Sequence, residues 1–250
     1  MTLPPAFLTR PITHRGLHDR DAGRPENSMA AFQAAIDGNY GIELDLQLTK
    51  DAAALVFHDY HLARLTADSG PVAQRSADEM AAIPLSGGDA GAPTLQEVLA
   101  LVDGQVPILI EIKDQDGQMG ANVGPLERAT AKALEGYTGD VAVMSFNPHA
   151  VQAFGAAAPH IPRGLVTSAF DHAAWAPLAP RVCDALRDIP DYDRVGATFI
   201  SHEAADLDRP RVAALKAAGT TVLCWTIKSA AQEAAARKVA DNVTFEGYLA

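Results

Sequence analysis

Two stretches decide the fold: GIELDLQ at residues 41–47 and ILIEIK at residues 108–113. In both stretches, apolar residues alternate with other residues, the pattern of a strand with one aliphatic face. Glu43 and Asp45 therefore share one face of the first strand, and Glu111 and Lys113 share one face of the second. Because the opposite faces are aliphatic, we expect both strands to be buried in a parallel sheet.

Three of these four polar side chains are carboxylates, which repel one another if the two strands are neighbours. Adjacent strands lie roughly 4.8 Å apart, and two carboxylates at about 4 Å repel by roughly 4 kcal/mol at an effective dielectric near 20. A cation among Glu43, Asp45 and Glu111 would remove this repulsion. Mg²⁺ and Ca²⁺ prefer oxygen ligands, so the sequence predicts a divalent metal site at these residues.

The rest of the chain alternates between strand-like and helical stretches. Further strand-like runs fall at residues 10–14, 141–146, 163–167, 195–201, 221–226 and 242–245. With the two stretches above, they make eight strands, each but the last followed by helical sequence. This pattern predicts an α/β fold, a (β/α)8 TIM barrel. A doubly wound sheet is the alternative, but its usual glycine-rich turn after the first strand is missing.

We expect residues 1–250 to form one domain, because α/β barrels often use this length undivided. Residues 60–93 break the regular alternation with Gly70-Pro71 and further glycines. We interpret this segment as a small helical insertion that follows the second strand region and packs beside the open end of the barrel.

The formal charge of −11 argues against a nucleic-acid-binding surface and against a polybasic membrane patch. No signal peptide is evident at the N-terminus, and no apolar run reaches the roughly 20 residues that span a bilayer. We therefore expect a cytoplasmic protein without stable membrane association, and a small soluble anion as its partner. Cys183 and Cys224 lack metal-type spacing, and Cys224 is predicted to be a buried thiol. Nothing in the sequence indicates the oligomeric state.

Further polar and aromatic side chains stand at the predicted carboxyl ends of strands, where TIM barrels carry their chemistry. They are His14, His58, Phe146, Trp225 and Glu246. A single histidine at a strand end is more often structural than catalytic. Two histidines together with three carboxylates are hard to explain as packing, because buried charge is costly.

The same residues resemble the signature of a known family. In order, the motifs are HRG at 14–16, PENS at 25–28, ELD at 43–45, HD at 58–59, PTL at 93–95 and EIK at 111–113. This combination resembles glycerophosphodiester phosphodiesterases, and WT at 225–226 extends the match. The chain departs from the family near its end, where TFEG at 244–247 stands in place of a Thr-Asp-x-Pro-like turn.

The resemblance implies that the residues matching Glu43, Asp45 and Glu111 hold Mg²⁺ or Ca²⁺. It also implies acid–base catalysis by the residues matching His14 and His58, whose imidazoles titrate near neutral pH. The expected reaction is the metal-dependent hydrolysis of a glycerophosphodiester to sn-glycerol 3-phosphate and an alcohol. The nucleophile is either a glycerol hydroxyl or water, and the sequence does not distinguish these routes.

Three further residues are candidates for substrate binding. We expect Arg15 to bind phosphoryl oxygens through its planar fork of donors, and Lys113 to add a point charge in the transition state. Trp225 is a candidate wall of the substrate site, with packing at the open end of the barrel as its alternative role. Lys113 has two alternatives: a salt bridge to Glu111, or a Schiff-base lysine as in barrel aldolases.

Two other functions compete with this prediction. The first is the same chemistry on a lysophospholipid or sphingolipid diester, which would need an apolar rim around the site. The second is a metal-dependent sensor of phosphoesters that binds without turnover, although a sensor has little need of two histidines.

Overall fold

The computed structural model describes residues 2–250 as a closed barrel of eight parallel strands with helices between them. Within this range the strands are β1 (Ile12–Thr13), β2 (Gly41–Leu48), β3 (Ala54–Val56), β4 (Ile108–Ile112), β5 (Val141–Ser145), β6 (Arg163–Thr167), β7 (Phe199–Glu203), β8 (Thr221–Ile227) and β9 (Asn242–Phe245). β1 pairs with both β2 and β9, which closes the barrel, whereas β3 pairs antiparallel with β2 and stays outside the ring. The predicted (β/α)8 TIM barrel is confirmed.

The helices connect these strands. Over the same residues they are α1 (Ala6–Thr9), α2 (Met29–Asp37), α3 (Ala77–Ala81), α4 (Leu95–Val102), α5 (Pro125–Ala133), α6 (Pro148–Ala157), α7 (Pro180–Arg187), α8 (Pro210–Ala217) and α9 (Ala230–Ala236). The hydroxyls of Ser28, Ser76 and Thr94 cap α2, α3 and α4. α5 to α8 each begin with proline. These caps and prolines satisfy or remove the free backbone N–H groups of the first turn, so local sequence fixes where the helices begin.

The alternation in the two central strands separates the inside of the barrel from the outside. Ile42, Leu44 and Ile110 face outward and pack in an apolar cluster with α2 and α4. Leu109 faces inward, where it packs with Phe7 of α1. α1 thereby fills the amino-terminal end of the barrel, and full burial of a side chain such as Phe7 stabilises the fold by about 1.5–3 kcal/mol. The acidic residues follow on the inward face towards the carboxyl end, which we call the mouth.

Residues 60–93 follow β3 and contain α3 and two 3₁₀ turns. Leu62, Val72 and Met80 form a separate small apolar cluster with Phe57, which lies just after β3. The segment is therefore held to the barrel by its own apolar contacts beside the β2–β3 hairpin.

β7 begins later than the strand predicted over residues 195–201. Residues 191–196 form turns, with Gly196 in the left-handed region at φ 62°, and the extended pairing with β6 starts only at Phe199. Val195 is buried as part of the apolar cluster on the outside of the barrel. In the sequence, this buried apolar residue therefore looks like part of a strand, although it lies outside β7.

His202 consequently lies within β7 and is fully buried. Its Nδ1 is 2.7 Å from Thr167 Oγ1, and its Nε2 is 3.1 Å from the Asp206 carboxylate. Both ring nitrogens therefore have partners within the protein.

Over the described residues, no helix follows β9, as the sequence predicts. Tyr40 and Tyr248 instead contact Phe245 edge-on, with ring centroids 5.1 and 5.4 Å away. Tyr248 also donates a hydrogen bond to Glu233 of α9 at 2.9 Å. These contacts cover the outer side of β9 next to α9.

None of the described helices is long and apolar enough to cross a bilayer. Cys183 and Cys224 are both buried free thiols, which confirms the expectation for Cys224. The cytoplasmic location stays a prediction.

Candidate active site

A cavity of about 130 Å³ lies inside the mouth of the barrel. Its walls include His14, Arg15, Glu43, His58, Glu111, Lys113, Phe146 and Trp225, together with Met144, Val166, Ser201, Thr226 and Thr244. Asp45 lies behind this wall and is 1% exposed. The structure therefore brings all the candidate site residues named from the sequence to one place.

The three acidic residues of the predicted metal site lie together. Asp45 and Glu111 are register partners on the neighbouring strands β2 and β4. One carboxylate oxygen from each of Glu43, Asp45 and Glu111 lies within 4.8 Å of the other two. Lys113 Nζ is 2.7 Å from Asp45 Oδ1 and 2.6 Å from Glu111 Oε1.

The electrostatics of this cluster show an excess of negative charge. Burial raises the pKa of Glu43 well above its usual range, and repulsion by Asp45 and Glu111 raises it further. Burial also opposes ionisation of Asp45, but Lys113 and other cations outweigh burial and lower its pKa. Lys113 and Arg15 supply two positive charges against three carboxylates. Three hard oxygen donors with an unbalanced negative charge fit a divalent cation.

His14 follows β1, and its ring is held by a residue from the other end of the chain. Its Nδ1 is 2.6 Å from Oε2 of Glu246, directly after β9. Glu246 also contacts Lys228 Nζ at 2.8 Å and His18 Nε2 at 3.6 Å. The His14 bond contributes most to holding the pKa of Glu246 far below its usual range. Burial lowers the pKa of His14, despite the raising effect of Glu246.

His58 is held in the same way by its neighbour in sequence. Its Nδ1 is 2.6 Å from Asp59 Oδ1. Arg64 donates two hydrogen bonds to Asp59, at 2.7 and 2.8 Å, and two more to Glu26, both at 2.8 Å. Glu26 also accepts a 2.7 Å bond from Arg15. A chain of ion pairs thus links His58 to Arg15, which also lines the cavity.

The turn after β1 directs Arg15 towards the carboxylates. Arg15 and Gly16 both have positive φ, 56° and 79°. A Cβ atom on Gly16 would lie 2.9 Å from the Ala31 Cβ, so this close approach to α2 requires glycine. In this turn the backbone N–H of Arg15 donates a hydrogen bond to the Glu43 carboxylate at 3.0 Å. The side-chain Nε of Arg15 lies 3.4 Å from the Asp45 carboxylate.

Aromatic rings form another wall of the mouth. Phe146 contacts Trp225 and Trp175, with ring centroids 5.5 and 4.8 Å away. Trp225 also donates from Nε1 to the backbone oxygen of Ser201 at 3.0 Å. Trp175 comes from the loop between β6 and α7, which no strand-end pattern in the sequence indicates.

Two further residues at the mouth acquire a function only in the folded chain. Glu246 stands at a predicted strand end, but its partner His14 is 232 residues away. Arg64 lies in the insertion, six residues after His58, and no motif connects it with Glu26. Position at a strand end was the available signal for Glu246, whereas Arg64 had none.

The barrel thus carries two carboxylate-bonded histidines and an acidic cluster at its mouth, the end where TIM-barrel enzymes hold their active sites. The model of the Glycerophosphoryl diester phosphodiesterase family matches residues 14–243. The chain belongs to this family, which confirms the resemblance in its motifs, and it is a phosphodiesterase.

Individual relatives agree with this assignment. The Bacillus subtilis protein YhdW is 29% identical over 246 residues, which cover 93% of this chain and 90% of that protein. A glycerophosphodiester phosphodiesterase of Caldanaerobacter subterraneus is 36% identical over 166 residues, covering 62% of this chain and 65% of that protein. An Oleispira antarctica phosphodiesterase, solved with the product sn-glycerol-3-phosphate, has a TM-score of 0.78 at 23% identity and covers 96% of this chain and 94% of its own. At that identity, the likeness establishes the shared fold.

Proposed function

We propose that this chain hydrolyses glycerophosphodiesters to sn-glycerol 3-phosphate and an alcohol, using a histidine pair and a divalent cation. The observation that carries the proposal is the pairing of His14 with Glu246 and of His58 with Asp59, both at 2.6 Å, around one cavity. The Oleispira antarctica phosphodiesterase was solved with sn-glycerol-3-phosphate, which supports a substrate that contains glycerol phosphate.

Glu43, Asp45 and Glu111 would hold the cation, Mg²⁺ or Ca²⁺. When bound, such an ion neutralises phosphoryl oxygens and acts as a Lewis acid. The fit rests on three oxygen donors within 4.8 Å of one another and on the raised pKa of Glu43, whose ionisation a cation would favour.

The two histidines supply acid–base catalysis. Because an ionised carboxylate only accepts hydrogen bonds, each Nδ1 donates to its partner, and Nε2 is left as the basic nitrogen. His14 acts as the base, since burial lowers its pKa and keeps the ring neutral. His58 acts as the acid that protonates the leaving alkoxide, and its 2.6 Å contact with Asp59 orients the ring. The nucleophile is either water or a glycerol hydroxyl, in which case water opens a cyclic phosphate.

Arg15, Lys113 and Trp225 bind the substrate in this proposal. Arg15 and Lys113 attract the phosphoryl group, and Trp225 covers the apolar side of the glycerol half. Burial lowers the pKa of Lys113, but attraction by the carboxylates of Asp45 and Glu111 outweighs this effect and raises the pKa above its usual range. A lysine that stays protonated is a poor Schiff-base nucleophile, which argues against the aldolase-type alternative.

Product analysis tests the proposal. Purified protein is incubated with glycerophosphocholine or with lysophosphatidylcholine, in the presence of Mg²⁺ or Ca²⁺, and the products are separated. We expect sn-glycerol 3-phosphate and choline from the first substrate. Turnover of lysophosphatidylcholine alone would favour the lipid diester alternative, and binding without turnover would favour the sensor. The variant lacking both His14 and His58 is the control for contaminating activity.

A further inference from the structure

Two buried hydroxyls on the cavity wall have no hydrogen-bond partner. They belong to Ser201 on β7 and Thr244 on β9. Ser201 is fully buried and Thr244 is 1% exposed. A buried hydroxyl without a partner loses the hydrogen bonds that it makes to water in the unfolded chain, so this arrangement costs free energy.

Comparable hydroxyls elsewhere in the fold are satisfied by the protein. Ser145 Oγ on β5 donates to the backbone oxygen of Ile112 at 2.7 Å, and Thr130 Oγ1 on α5 donates to that of Leu126 at 2.8 Å. Among the described residues, three other buried side-chain atoms at the mouth lack a hydrogen bond, but each has an ion-pair contact: Asp45 Oδ1 with Lys113 at 2.7 Å, Arg15 Nε with Asp45 at 3.4 Å and His18 Nε2 with Glu246 at 3.6 Å. Ser201 and Thr244 are thus the buried groups of the described residues with neither a hydrogen bond nor an ion pair, and both line the cavity.

The two hydroxyls lie on either side of the strand that faces Glu111 across the barrel. In the ring of eight strands, β7 and β9 flank β8, which stands opposite β4, the strand of Glu111. Between them, Trp225 of β8 presents an aromatic ring to the same cavity. This side of the cavity thus combines an aromatic surface with two groups that can each donate and accept a hydrogen bond. That combination matches a small polyol, which has apolar C–H faces and hydroxyl groups.

We propose that Ser201 and Thr244 bind the terminal hydroxyl of the glycerol half of the substrate and thereby select glycerol diesters. The inference rests on the proposed function, because the phosphoryl group must lie at the histidines for glycerol to reach β7 and β9. A substrate without this hydroxyl would leave both buried groups unpaired, which is an effective way to reject an analogue.

The test compares glycerophosphocholine with the phosphocholine diester of propane-1,2-diol, which keeps the hydroxyl next to the phosphate and lacks the terminal one. We expect the unchanged protein to prefer the glycerol diester by roughly 10²-fold or more in kcat/KM. In the double variant Ser201→Ala, Thr244→Val, the preference should fall below about tenfold through slower turnover of the glycerol diester. A preference that persists in the double variant, or is absent from the unchanged protein, would overturn the inference.

A binding measurement separates this inference from the proposed function. Calorimetric titration of sn-glycerol 3-phosphate and of propane-1,2-diol 1-phosphate should show the same preference without any turnover. If the protein hydrolyses neither diester, the proposed function fails, and the two titrations still decide whether the hydroxyls recognise glycerol. Equal affinity for the two phosphates would contradict the inference even in an active enzyme.

Matched variants control for folding. Ser145→Ala and Thr130→Val remove buried hydroxyls that have partners, so they should lower the melting temperature and leave the substrate preference unchanged. Ser201→Ala and Thr244→Val should not lower the melting temperature, because the hydroxyls they remove are unpaired in the free protein. A loss of stability in these two variants equal to that of the controls would show internal partners and contradict the inference.

Discussion

Replacing Glu246 with glutamine tests how the ring of His14 is held. Glutamine keeps the shape of the side chain but removes its charge, and the 2.6 Å bond to Nδ1 becomes an ordinary amide contact. The His14 and Glu246 side chains are only 16% and 21% exposed. Water can therefore do little to replace the lost hydrogen bond in the variant. A hydrogen bond to a charged group contributes about 1.5–3 kcal/mol, and every 1.4 kcal/mol is about tenfold. We therefore expect kcat to fall roughly 10- to 100-fold.

The pH dependence should change as well, and its sign follows from the contacts of His14. Glu246 raises the pKa of His14, whereas burial and Arg15 lower it. Without the carboxylate, the lowering influences remain and the pKa of His14 falls. A base must be deprotonated to act, so the acidic limb of the kcat/KM profile should move to lower pH.

The assay is a pH profile of kcat and kcat/KM for glycerophosphocholine. Glu233→Gln serves as the control, because Glu233, like Glu246, pairs with a basic side chain, here Arg237. Glu233 also accepts a hydrogen bond from Tyr248 and lies outside the cavity. An acidic limb that stays in place, together with a kcat of Glu246→Gln close to that of the unchanged protein, would refute the role of Glu246.

Three further outcomes are expected. Alanine in place of His14 or His58 should lower kcat by about 10²–10⁴-fold, and near-normal turnover of either variant contradicts its assignment. Chelation should abolish activity and added Mg²⁺ or Ca²⁺ should restore it, so full activity in excess chelator excludes the metal site. Arg64→Gln removes two hydrogen bonds to Asp59, the partner of His58. Because Arg64 is half-exposed, we expect this loss to raise the activation free energy by about 1 kcal/mol and to lower kcat roughly fivefold. The similarly exposed Arg194, paired outside the cavity, provides the control variant Arg194→Gln, and equal effects of the two substitutions would contradict this role of Arg64.

The faces of the central strands were predictable because they depend on local geometry. A strand repeats every two residues, so the order of letters in GIELDLQ and ILIEIK places Glu43, Asp45 and Glu111 on one face without knowledge of the fold. The regular spacing of strands and helices, together with the ordered motifs, was enough to predict the barrel and its family.

The start of β7 shows where local pattern fails. Val195 is apolar and strand-like in sequence, yet Gly196 adopts a left-handed turn and β7 begins only at Phe199. A turn that is buried against the outer helices needs apolar residues, and so does a buried strand. The letters alone therefore could not separate a buried turn from a buried strand.

The sequence by itself determined the two central strands, the shared face of the acidic residues on each strand and the residue types available for catalysis. Only the tertiary structure decided which of these residues contact each other. Glu246 reaches His14 because β1 pairs with β9 as well as β2, and Ser201 and Thr244 share a cavity because β7 and β9 flank β8. The physical reason is that strand periodicity is a property of neighbouring residues, whereas these contacts exist only once the sheet has closed on itself.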